Sequence, residues 1–384
     1  MAGLYVHVPY CVRKCIYCDF YSVESSRDSI ATRLASSAAP DANDFLNALE
    51  MELRSLPRDF RPETVFIGGG TPTELSEPDL DRLLQSLHNH LDLSRVTEWT
   101  CEANPGTLTR AKASLLLSAG VNRISLGIQS FHAPNLEFLG RIHSGEDATG
   151  AYDLLRGLGV RNINLDLIYA IPGSSDVILR EDLERIIALA PEHTSGYCLT
   201  FEPDTPLFTL KQKGYVLEVD DDRARSQYHL LRQATTAAGY RQYEISNFAR
   251  PGYECRHNLL YWSGGEFLGC GPSAHSYWKG VRRSNVPHIR RYCDALLNGK
   301  SAQIASEQLD PEGRARESLV MSLRRTDGVS RRDFIEDTGF DYYDLCRPAI
   351  ESLQGHGLVS EGEGKLALTE SGLFVSNAVF AELL

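Results

Sequence analysis

The chain has 384 residues, enough for one large domain and a smaller one, and an ordinary globular composition of 42% apolar and 23% charged residues. Its net charge of −12 argues against a general nucleic-acid binder, which carries a basic footprint, and nine scattered cysteines do not make a secreted disulfide framework. No run of about 18 apolar residues predicts a membrane span, and the start lacks the regions of a signal peptide, so the chain reads as cytoplasmic and reduced. A first strand is expected at 4–8, leading straight into a cysteine-rich loop. Residues 22–42 read as a Ser/Ala/Asp-rich insertion with a short helix at 30–36. Apolar spacing through Phe45, Leu46, Leu49, Met51 and Leu53 predicts a helix over 42–56. Strands follow near 64–67, 98–102, 123–127, 163–168 and 196–200. Helices are expected from 77 to 91, at 109–119, 146–158 and 175–189, and then at 220–238. Six βα units in a row imply a parallel sheet with crossover helices. From about 240 the pattern changes to short strands and loops up to 285, with a helical region near Pro287. Residues 311–384 look separate, with helices at 312–323, 330–338 and 342–356, a hairpin around 362–364 and a last helix after Thr369. Three helices and a wing suggest a winged-helix-like module. Arg331 and Arg332 are offset by Asp333, Glu336 and Asp337, which favours packing over DNA binding.

Cys11, Cys15 and Cys18 stand in the spacing C-x3-C-x2-C, with no fourth cysteine nearby. Three thiolates can hold three irons of a [4Fe–4S] cluster, whereas electron-transfer clusters use four. An open iron implies chemistry at the metal, as an open position does at catalytic zinc. A zinc reading would need a fourth ligand, such as His7, and a disulfide reading an oxidising compartment. The other cysteines, Cys101, Cys198, Cys255, Cys270, Cys293 and Cys346, are isolated and read mostly as buried structural thiols.

The other distinctive residues fall at the C-terminal ends of predicted strands, where barrel folds carry their sites. Gly69, Gly70 and Thr71 follow the second strand, and glycine there lets backbone approach a ligand. Glu102 ends the third strand and suits a ribose hydroxyl pair or an ammonium. Gln129 follows the fourth, and Arg141 lies just beyond it, able to pair with a carboxylate. Asp166 sits in an apolar strand, where a lone carboxylate is costly unless paired. For Glu102, Gln129 and Arg141 a solvated rim residue is the plainer alternative.

Together these motifs resemble the radical S-adenosylmethionine (SAM) superfamily, which implies a partial (βα)6 barrel. The resemblance implies that SAM chelates the free iron and is cleaved by one electron to methionine and a 5′-deoxyadenosyl radical. Nearly the whole chain is similar to the branch containing the oxygen-independent coproporphyrinogen III oxidase HemN. By that resemblance Tyr5, Gly69, Gly70, Thr71 and Glu102 contact SAM. Gln129, Arg141 and Asp166 form a second SAM site, Thr200 and His275 take looser equivalents, and Tyr17 lies beside the cluster. No catalytic residue is assigned beyond the cluster. Two features depart from the oxidase: Phe20 stands where its fourth cysteine would be, and only ten residues precede Cys11.

Both departures, and the run His257-Asn258-Leu259-Leu260-Tyr261-Trp262, resemble the haem-chaperone family HemW. This implies haem as cargo, held through His257 against the flat faces of Tyr261 and Trp262. Neutral imidazole is a common axial ligand, and Cys255 is the alternative. The resemblance further implies delivery to apo-haemoproteins, respiratory ones among them, an electron donor, a homodimer, and membrane association only through partners. Whether the chain is an enzyme stays open. The alternatives are radical decarboxylation of coproporphyrinogen III and a HemN-like methyltransferase. The expected organisation is a barrel at 1–240, a connecting region at 241–310 and the C-terminal module at 311–384.

Overall fold

A computed structural model of the protein describes residues 2–25 and 41–384; the short helix expected at 30–36 lies outside them. Six strands, Ala2–Val8, Thr64–Gly69, Glu98–Ala103, Arg123–Gln129, Ile163–Tyr169 and His193–Cys198, lie side by side in chain order, every pair parallel. Their outward residues, among them Leu4, Val6, Ile67, Ile124, Leu126 and Leu165, are fully buried under the crossover helices. Strand geometry sends alternate residues to the other face. That inner face is polar: Glu102, Arg123, Ser125, Asn164, Asp166 and Ser195 border a cavity. This is the expected partial (βα)6 barrel.

The crossover helices begin where their sequences say. Asp41 caps Ala42–Ser55, Ser76 caps Glu77–His90 with Pro78 in its first turn, and Ser144 and Asp147 form a capping box at Gly145–Gly157. Two short helices were not expected, Ala133–Leu139 and Pro206–Gln212. The last barrel strand starts earlier than read, at His193. Its polar residues pair with the neighbouring strand on both faces: His193 Nδ1 bonds Asn164 Oδ1 at 2.6 Å on the inner face, and Thr194 Oγ1 donates to the Leu165 carbonyl at 2.9 Å on the outer one. Thr200 therefore lies past the strand, in the loop that follows.

Residues 241–310 join the sheet at both edges. Asn247–Ala249 pairs antiparallel with His193–Cys198, and Glu266–Cys270 pairs parallel with Ala2–Val8 on the other side. Three further antiparallel strands, His275–Trp278, Val281–Asn285 and Gln303–Glu307, extend that second edge, and Arg241–Gln242 adds a last antiparallel strand beyond Asn247–Ala249, completing a 12-stranded sheet. The C-terminal module has helices Pro311–Ser322, Arg331–Thr338 and Tyr342–Gly355, a small sheet with the wing Val359–Gly362 and Lys365–Leu368, and two short final helices. It is tied to the barrel at Thr326, whose N–H and hydroxyl donate to the carbonyls of Tyr243 and Gln242. No helix among the described residues is long and apolar enough to cross a membrane.

Candidate functional site

The first strand ends at Val8, and the chain then runs along the glycine loop of its neighbour. Gly70 N–H donates to the Val8 carbonyl at 2.8 Å and Thr71 N–H to the Tyr10 carbonyl at 2.7 Å. A Cβ on Gly70 would stand 2.7 Å from the Tyr10 carbonyl oxygen, and one on Gly69, whose φ is +103°, 2.5 Å from the His7 ring. Glycine is required at both positions by this close approach.

The cysteine loop is held from its other side by the two unexpected helices. Ile16 N–H donates to the Leu139 carbonyl, and Leu207 N–H donates to the Ile16 carbonyl. Leu139 and Leu207, both fully buried, form a small apolar cluster with Ile16 and Tyr17. Thr71 Oγ1 donates to Cys11 Sγ at 3.6 Å and Arg141 Nη1 to Cys15 Sγ at 3.3 Å. Burial pushes the Cys18 thiol up to about 12 and raises Cys11 as well, the neighbouring thiols adding to both. All three thiols face one cavity of about 1020 Å³, at the upper end of small-molecule sites. Among the described residues no three or more His, Cys, Asp or Glu side chains are arranged around a single metal ion. His7 offers no fourth ligand: its Nδ1 accepts from the Tyr5 hydroxyl and its Nε2 donates to the Tyr21 carbonyl. Three thiols on one loop, two of them already receiving hydrogen bonds, fit an iron–sulfur group, whose sulfurs are stabilised by such donors.

Along the strand ends the cavity gathers Gly69, Gly70, Thr71, Glu102, Gln129, Arg141 and Asp166, with Tyr17 beside the thiols and Thr200 in the loop beyond. Glu102 accepts from Gly69 N–H at 3.2 Å. Burial, with Asp166 adding, pushes its carboxyl up to about 8, against the pull of that N–H and of Arg123. Asp166 is not alone in its strand: Ser125 Oγ and Asn164 Nδ2 donate to its two oxygens, and burial still raises it. Gln129 sits at a register shift with φ +66°, and its buried Oε1 has no hydrogen-bond donor. Arg141 also donates to the Gly127 carbonyl, which fixes the guanidinium between that strand and Cys15.

Six residues singled out from the sequence, Tyr5, Cys255, His257, Tyr261, Trp262 and His275, lie outside the cavity lining. Tyr5 is one layer away, packed on Phe66 and bonded to His7. His275 is an exposed residue opening an antiparallel strand beyond the first one. His257 is 1% exposed in the helix Arg256–Trp262. Its Nδ1 bonds Thr64 Oγ1 at 2.8 Å and its Nε2 bonds Tyr261 Oη at 2.8 Å, so neither nitrogen is free. Tyr261 packs edge-on to Phe267, and Trp262 lies under the Arg324 guanidinium, 4.3 Å from its ring centre. Cys255 is fully buried and donates to Glu98, which also accepts the N–H groups of Arg256 and His257. The member of this motif that lines the cavity is Asn258.

The sequence reading passed over Arg123, Asn258, Tyr197 and Arg324, all of which line the cavity. Arg123 was legible as a cation opening a strand whose alternate residues are Ile124, Leu126 and Ile128, and it is 2% exposed. Arg324 carried no local signal.

Residues 5–189 match the family model of the radical SAM superfamily, and residues 309–375 that of the HemN C-terminal domain. The haem chaperone HemW of Bacillus subtilis is 34% identical, covering 100% of this chain and 99% of its own length. HemW of Escherichia coli is 36% identical and HemW of Haemophilus influenzae 37%, each covering 98% of this chain and 96% of the relative. The solved structure of coproporphyrinogen III oxidase HemN from Escherichia coli superimposes with a TM-score of 0.84 at 21% identity, over 100% of this chain and 89% of that one.

Proposed function

The chain belongs to the HemW family of haem chaperones within the radical SAM superfamily, and on that premise we propose that it binds haem and hands it to apo-haemoproteins. Respiratory haemoproteins are the recipients we favour, and the reducing cytoplasm the setting. The observation that carries the reading is the full-length kinship, 34–37% identity over 98–100% of the chain. Phe20 supports it: where the oxidase has a further cysteine, this chain puts an aromatic side chain 62% exposed at the cavity.

In this reading Cys11, Cys15 and Cys18 hold a [4Fe–4S] cluster. Gly69, Gly70, Thr71 and Glu102 bind SAM beside the open iron, and Gln129, Arg141 and Asp166 line the adjoining space for a second ligand. With an electron donor, the cluster and SAM supply one-electron cleavage of the sulfonium. The chain's own part is positional. Thr71 and Arg141 keep two sulfurs in place, and the glycine loop admits the ligand. Glu102, protonated when free, ionises against a bound ammonium. His257 belongs to the haem function in this reading, and it ligates iron only once Tyr261 has released its Nε2.

The test is an anaerobic haem titration of cluster-reconstituted protein, followed by the Soret band, beside His257→Ala. We expect stoichiometric binding by the parent chain and a loss in the variant. Binding indifferent to the substitution removes His257 as a ligand and leaves the cargo reading intact. No specific binding by the parent sinks the cargo reading, and a coproporphyrinogen decarboxylation assay then decides the enzymatic alternative.

A further inference from the structure

Where the barrel meets the C-terminal module, hydrogen-bond donors lack acceptors. Arg324 lines the cavity, held over the Trp262 ring at 4.3 Å and flanked by Phe380 at 5.9 Å. Its buried Nε and the buried indole Nε1 of Trp262 both have no partner, and among the described residues no group accepts from the guanidinium. Glu244 attracts it electrostatically, but among the described residues the two form no salt bridge. Glu244 Oε1 is taken by the Ser246 N–H and by Asn247 Nδ2, and burial favours its neutral form. A half-buried guanidinium with open donors, whose only nearby counter-charge is an unbonded carboxylate held toward its neutral form, is costly unless an anion meets it. Asn258 borders the same cavity with a further amide.

We propose that Arg324, positioned by Trp262, is a carboxylate-binding subsite that takes a propionate of the tetrapyrrole cargo at the junction of barrel and C-terminal module. This rests on the haem-cargo reading. A planar guanidinium suits a carboxylate because it offers two parallel donors. The place accounts for the sequence motif in another way than iron ligation: Trp262 fixes the cation, Asn258 lines the wall, and His257 pins the helix that carries both.

The experiment titrates the cluster-reconstituted full chain with haem and, separately, with haem dimethyl ester, which has no free carboxylate. Both titrations are repeated on Arg324→Gln and Arg324→Lys, with urea midpoints as the folding control. Arg324→Gln is expected to weaken haem roughly tenfold or more, the size of a lost charged hydrogen bond. Ester binding stays unchanged, and Arg324→Lys falls between. Should Arg324→Gln not fold, the lysine variant carries the test, weaker for haem and unchanged for the ester. Equal losses on both ligands, or no loss on either, overturn the subsite while leaving haem as cargo. Loss of SAM binding with haem unaffected also overturns it, by giving the guanidinium to the SAM carboxylate. If the parent chain binds neither porphyrin, the cargo reading falls and the subsite with it.

Discussion

The fold decides the charge of Glu102 in the cavity. In the unfolded chain it ionises near the ordinary glutamate value of about 4.3; in the folded chain burial holds the proton up to about 8. The folded state therefore binds the extra proton between those values, so this residue lowers stability as pH rises through that window and stops doing so above it. Urea unfolding of the cluster-free chain at pH 5 and pH 8 should show a larger loss for the parent than for Glu102→Gln, which cannot ionise. Parallel curves for the two proteins would mean that the cavity is wetter than its lining indicates. Glu102 was legible as a site residue because it ends a strand. Its protonation was not, since that depends on burial under other strands and on Asp166 and Arg123, which those strands bring close.

At the scale of elements, the cysteine loop depends on two helices that local pattern did not reveal. Ala133–Leu139 and Pro206–Gln212 are seven residues each, too short for an apolar period to repeat, and each has a proline in its first turn, which also reads as a turn. Their value is tertiary: Leu139 and Leu207 close a small cluster around Ile16 and Tyr17. Leu139→Ala leaves a void in that cluster and should cost about 2–5 kcal/mol, as large-to-small core changes do. Denaturant unfolding measures this, and iron bound per chain after reconstitution should fall with it. A stability loss with full iron content would show that the loop keeps its shape without the helix. The glycine loop, by contrast, was readable, because Gly69 and Gly70 answer to contacts only a few ångströms away.

For the whole molecule, the joint between barrel and C-terminal module combines charged pairs with backbone bonds. Glu370 reaches His229 at 2.7 Å and Arg232 at 3.0 Å across it, but its side chain is 59% exposed. Glu370→Ala should therefore change stability by no more than about 1 kcal/mol, the usual range for surface pairs, as read by thermal or urea unfolding. A larger loss would make this ion pair, rather than the two Thr326 bonds and the packing of Trp262 and Phe380 around Arg324, the main tie. The parallel βα order, the thiol triad, the glycine loop and the carboxylates Glu102 and Asp166 on the barrel strands were legible along the chain. Each is written in neighbouring residues, through strand periodicity, spacing along one loop or the missing side chain of a glycine. Long-range packing set the rest: residues 241–310 complete both edges of the sheet, His257 is pinned between Thr64 and Tyr261, and Arg324 reaches the cavity from about three hundred residues beyond the cysteines. Those facts depend on which distant segments pack together. Local spacing can name a histidine or an arginine, but burial and the partners supplied by other strands determine what it faces.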